Sequence, residues 1–121
     1  MATDPETIAA NAADALWNTL WDKHEALIDY LQALNEKLSP DDRPDYEGSI
    51  RNAELEVQRI EALMDALNAG RVPPFPSEEQ IEAMQTSVGK LQQAVARSAK
   101  IDKLISAATT VIKTWPVSAG G

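Results

Sequence analysis

The stretch "LQQAVARSAKIDKLIS", residues 91–106, decides how many helices this chain builds. Apolar residues recur at helical spacing on both sides of it: Ile81, Met84, Val88, Leu91 and Val95 before, and Ile101, Ile105, Ala108, Ile112 and Trp115 after. Ser98 holds the seam position between them, and the step from Ser98 to Ile101 is the one irregular step. Such a step disturbs the winding locally. The segment therefore reads as a single helix over about 77–115. Ser77-Glu78-Glu79-Gln80 supplies a capping box at its start, and Pro116 stops it.

Two earlier segments carry the same signature. Ala13, Trp17, Leu20, His24, Leu27, Leu31, Leu34 and Leu38 follow alternating steps of four and three. Tyr46, Ile50, Ala53, Val57, Ile60, Met64 and Leu67 do likewise. Thr3 or Asp4 can cap the first helix, with Pro5 in its opening turn, and Ser39-Pro40 ends it. In "SPDDRPD" the second helix begins somewhere between Asp42 and Asp45, and Asn68 to Gly70 closes it with a glycine exit.

These readings predict an all-α chain: an elongated up-down-up antiparallel three-helix bundle with coiled-coil-like heptad packing. The helices fall at about 4–38, 45–68 and 77–115, in a single domain over 1–121 with a flexible tail at 116–121. A proline-rich extended linker over 70–76 joins the last two helices. Helix two is about 15 Å shorter than helix one at about 1.5 Å per residue. The linker is expected to run beside helix one and fill that gap, with Phe75 covering apolar surface.

The 121 residues are 44% hydrophobic and 25% charged, ordinary for a globular domain. There is no cysteine, which excludes disulfides, thiolate metal sites and thiol nucleophiles. "MATDPETIAA" has neither a basic region nor an apolar run, and "LISAATTVI" is far short of a membrane span of about 20 residues. A cytoplasmic, soluble protein is the expectation.

The net charge of −8 is unevenly spread: residues 1–68 carry 15 acids and 5 bases, residues 69–121 only 4 acids and 6 bases. Glu54, Gln58, Glu61 and Asp65 form an outward row on helix two, of the kind that steers basic partners. Lys90, Arg97, Lys100 and Lys103 lie off the seam of helix three. Four bases without interleaved aromatics make a poor phosphate-binding footprint, so direct nucleic-acid binding is not expected.

Trp17 and His24 lie on the first seam, and Trp21 sits one step off it in line with Ile28. Core or boundary packing explains all three, with Trp21 the one able to anchor a partner. His24 is the only histidine, so neither a paired-histidine zinc motif nor a di-iron pattern is present, and no metal or cofactor is expected. No glycine-rich phosphate loop or strained nucleophile turn is present either, so an enzyme is not expected. The leading expectation is a non-enzymatic protein-interaction module: an adaptor, inhibitor or assembly subunit. Its partner-binding residues would be Trp21, Glu54, Gln58, Glu61, Asp65 and Trp115. The partner is another protein, possibly basic, and overhanging helix ends could also support a homo-oligomer. The alternatives are an acidic nucleic-acid mimic blocking a basic partner, or a small-molecule or cofactor binder around Trp17, Trp21 and His24.

Overall fold

Residues 97–100 turn the chain back on itself, so the third helix expected from the sequence is two helices. The computed structural model describes residues 5–70 and 77–114, with side chains from Asp14 onward. Among the described residues there are four α-helices and no strand: α1 (Pro5–Lys37), α2 (Glu47–Asn68), α3 (Glu78–Ala96) and α4 (Ile101–Thr114). This corrects the three-helix bundle. The all-helical class stands, but four helices pack against one another where three were expected.

The correction has a local cause. The Ala99 N–H donates to the Ala94 carbonyl at 3.0 Å and the Ser98 N–H to the Val95 carbonyl at 3.1 Å. That pair of bonds is the Schellman motif, which ends a helix by placing one residue in the left-handed region. Ser98 takes that place, at φ 51°. Glycine is the usual occupant, because any other residue bears a steric cost there. The chain restarts at once: the N–H groups of Lys103 and Leu104 both donate to the Lys100 carbonyl at 3.0 Å.

The other helix ends follow their sequence signals. Ser77 Oγ accepts from the Gln80 N–H at 3.1 Å while the Ser77 N–H donates to Gln80 Oε1 at 2.8 Å, completing the capping box. Gly70 closes α2 at φ 77°. The α2 helix starts later than expected, at Glu47, because a short 3-10 turn over Arg43–Tyr46 precedes it. The linker over 71–76 with Phe75, the tail and Trp115 lie outside the described residues.

The short connection after α1 folds α2 back along it, and the four-residue turn folds α4 back along α3. Lys37 Nζ donates to the Ser98 carbonyl at 3.3 Å and Gln85 Nε2 to Thr19 Oγ1 at 3.3 Å, so α3 runs parallel to α1. The closest packing is of α1 with α3, α3 with α4, and α1 with α2; α1 also packs on α4, more closely than α2 does, and α2 does not touch α3. The helices therefore stand in a ring of order α1, α2, α4, α3 that is pinched where α1 meets α4.

With α2, α3 and α4 all packed against it, α1 must bury a broad arc. Its enclosed stripe runs through Leu16, Leu20, Lys23, Leu27, Tyr30 and Leu34, with Thr19 and Ala26 enclosed beside it. The stripe keeps the steps of four and three, but the phase is turned by one residue at alternate positions. Trp17, His24 and Leu31, expected at the centre of the seam, sit at its edge, half-buried. Opposite them α2 contributes Ala53, Ile60 and Met64, α3 Met84, Val88 and Leu91, and α4 Leu104, Ala108 and Val111. Each large apolar side chain so enclosed is worth about 1.5–3 kcal/mol.

Candidate functional site

One charged pair sits inside the bundle. Lys23 on α1 reaches Glu56 on α2, Nζ to Oε2 at 2.9 Å, with side chains 0% and 3% exposed. Oε2 has no further hydrogen-bond partner among the described residues, and the Lys23 ammonium lies beside it. Arg59 approaches the other oxygen, Oε1, at 3.6 Å from its half-exposed side of α2. Burial pushes the Lys23 amine below its ordinary value, and the Glu56 carboxylate opposes that shift. The four-carbon stem of a lysine packs like an aliphatic residue. Enclosed on all sides, this amine has no approach for a substrate, and the pair acts on the alignment of α1 against α2.

The outer face of α1 is built differently. Trp21 is 49% exposed and Ile28 36% exposed, seven residues and therefore two helical turns apart. Trp21, His24, Glu25, Ile28 and Asp29 line an open hollow of about 350 Å³. Asp22 is exposed next to Trp21 in sequence, so three exposed carboxylates accompany the two apolar side chains on this part of α1, whose one lysine, Lys23, is turned into the core. His24 links the hollow to α2, its Nε2 lying 3.2 Å from Glu61 Oε1; protonating the ring would make that contact an ion pair.

The expected site residues therefore separate. Trp21 and Glu61 share one face through His24. Glu54 and Gln58 line a second hollow with Arg43, Glu47, Ile50, Arg51 and Leu55, where two arginines stand at the start of the acidic row. Asp65 is exposed on α2, and Trp115 is outside the described residues. Of the three residues expected around a small-molecule pocket, Trp21 and His24 line the open hollow and Trp17 packs against the core.

On the opposite side of the ring, α3 and α4 frame a hollow of about 270 Å³ lined by Ser87, Lys90, Lys103, Ser106, Ala107 and Thr110. Most of the lining side chains are small, and each of the two helices contributes one lysine. Arg97 and Lys100 are exposed at the nearby turn.

Three features escaped the sequence reading: the Lys23–Glu56 pair, the 53% exposed Leu55 on α2, and the α3–α4 hollow. The first was within reach. Leu16, Leu20, Lys23, Leu27, Tyr30 and Leu34 form an unbroken stripe of steps four and three if one lysine is admitted to it. Among the described residues, no group of three or more His, Cys, Asp or Glu side chains is placed to hold a metal ion. No helix there is long and apolar enough to cross a membrane. No family model, curated protein or solved structure matches the chain, so its function rests on the geometry of these faces.

Proposed function

We propose that this protein is a non-enzymatic binding module that receives a cationic amphipathic segment on the outer face of α1. The supporting observation is the pairing of half-exposed Trp21 with Ile28 two turns away, set among Asp22, Glu25 and Asp29. Tryptophan is the residue most enriched at binding hot spots, because its large flat surface gains much from losing water. The carboxylates beside it raise the encounter rate with a basic partner and disfavour an acidic one. The nucleic-acid-mimic reading draws less support, since Arg43 and Arg51 share a hollow with Glu54 and Gln58 at the start of the acidic row on α2.

A synthetic helical peptide with leucines at the same seven-residue spacing and flanking lysines tests this reading. It should bind with an affinity that falls as salt is raised. Trp21→Ala should weaken binding at least tenfold, or about 1.4 kcal/mol, and leave the thermal melt within about 0.5 kcal/mol of the parent. A scrambled peptide of equal charge that binds equally well, or a Trp21→Ala protein of unchanged affinity, would overturn the proposal.

A further inference from the structure

We infer that the cationic surface received by the α1 face is the α3–α4 hollow of a second copy of this chain. The inference rests on the binding role proposed for Trp21 and names its partner. Three observations carry it. The two surfaces are complementary in charge: Asp22, Glu25 and Asp29 accompany the apolar residues of α1, while Lys90 and Lys103 flank the hollow. They are compatible in size, since a half-exposed indole can enter a hollow lined in part by the small side chains of Ser87, Ser106 and Ala107. They also match in length. Trp21 to Ile28 and Lys103 to Thr110 each span seven helical residues, about 10 Å.

The ring order sets what such a contact would build. The Trp21 hollow lies on the α1–α2 side through the His24–Glu61 contact, and the lysine hollow lies on the α3–α4 side, opposite it. A contact between two different surfaces leaves each copy one free surface of each kind, so copies add head to tail, into a ring or an open row according to the rotation between them. The uneven charge of the sequence, acidic before residue 69 and slightly basic after it, then acts as polarity along the assembly.

Sedimentation velocity on the full chain tests this with two variants. Trp21→Ala with Glu25→Lys disables the ridge, and Lys90→Glu with Lys103→Glu disables the hollow; all four positions are exposed. Circular dichroism and thermal melts establish that both variants fold. The parent should gain mass with concentration at low salt and lose it at high salt. Each variant alone should remain a monomer, and an equimolar mixture should form a one-to-one dimer and nothing larger. A parent that stays monomeric up to about 1 mM, a range where contacts of only about 4 kcal/mol would show, overturns the inference. So does association abolished by the ridge variant but kept by the hollow variant, which would mean ridge meeting ridge. The cationic peptide binding to the hollow variant tells the two proposals apart. If it binds through Trp21 while the parent stays monomeric, only the self-contact fails; if it does not bind at all, the ridge itself is not a docking surface.

Discussion

Where α1 meets α2, a lysine and a glutamate are sealed into the core; where α3 meets α4, the enclosed layer is Met84, Val88, Leu91, Leu104 and Val111. Both are helical hairpins of ordinary geometry, yet they are held in different ways. Aliphatic packing stabilises through area and tolerates small slips of one helix along the other. A buried ion pair adds little net stability, because removing two charges from water costs about what their attraction returns. It does penalise every alignment that separates them. The α1–α2 pair is thus specified by charge and the α3–α4 pair by its turn and its packing.

The largest expected effect tests the charged side of that contrast. Lys23→Met leaves Glu56 buried with only Arg59 nearby, and should destabilise by about 3 kcal/mol, the lower part of the range for breaking such pairs. The double variant Lys23→Met/Glu56→Leu should recover all of that loss and can exceed the parent by about 1–4 kcal/mol. Urea denaturation of the three proteins decides it. Equal losses in the single and double variants would mean that the stem of Lys23, and not its charge, matters.

A somewhat smaller effect concerns pH. Burial raises the Tyr30 hydroxyl to about 12 from 10.0. A group whose folded value is raised contributes stability that is complete below its unfolded value and is lost as pH rises through the folded one. Between pH 10 and 12 the parent should therefore lose about 2–3 kcal/mol that a Tyr30→Phe protein does not lose. Lys23 works in the other direction. Its folded value is lowered, so the unfolded chain holds the proton longer and stability grows as pH climbs toward 10.5. Lys23→Met should abolish that rise, leaving the Tyr30 fall in place, as denaturation series at several pH values would reveal.

The smallest effect separates a turn from a continuous helix by its sign alone. Ser98 holds a left-handed backbone at φ 51°, where a side chain costs about 1–2 kcal/mol. Ser98→Gly should raise stability by about 1 kcal/mol. In an uninterrupted helix over 77–115 the same change would lower it by a similar order.

That reversal of sign also explains why the fold was only partly legible. The periodicity of apolar residues made the helices readable, and Ser77, Gln80, Pro40 and Gly70 marked ends that the structure keeps. The turn at 97–100 was hidden because it uses serine where glycine is usual and restarts with Lys100 in place of a capping serine or aspartate. One clue was present: Leu104 is fully enclosed but lies off the seam drawn through Ile101 and Ile105, which is what a reset of helical phase produces. On α1, reading His24 as a seam residue displaced Lys23 from it, because a charged side chain is not counted as apolar even when its stem is buried. The exposure of Trp21 was legible only as one of two outcomes. Which side of α1 lacks a neighbour depends on the ring order, and the ring order depends on the hidden turn.

The separation of α2 from α3 has a consequence for how the molecule breathes. The α1 and α4 helices both pack extensively on α3 and also touch each other, whereas α2 is fastened chiefly along α1. A protein opens first where the fewest apolar contacts must be given up. Peeling α2 away would uncover the amine of Lys23 and the carboxylate of Glu56 together, and water would reward both. The charged pair thus acts as a latch: it enforces one alignment while shut, and hydration eases its release once the helix begins to lift.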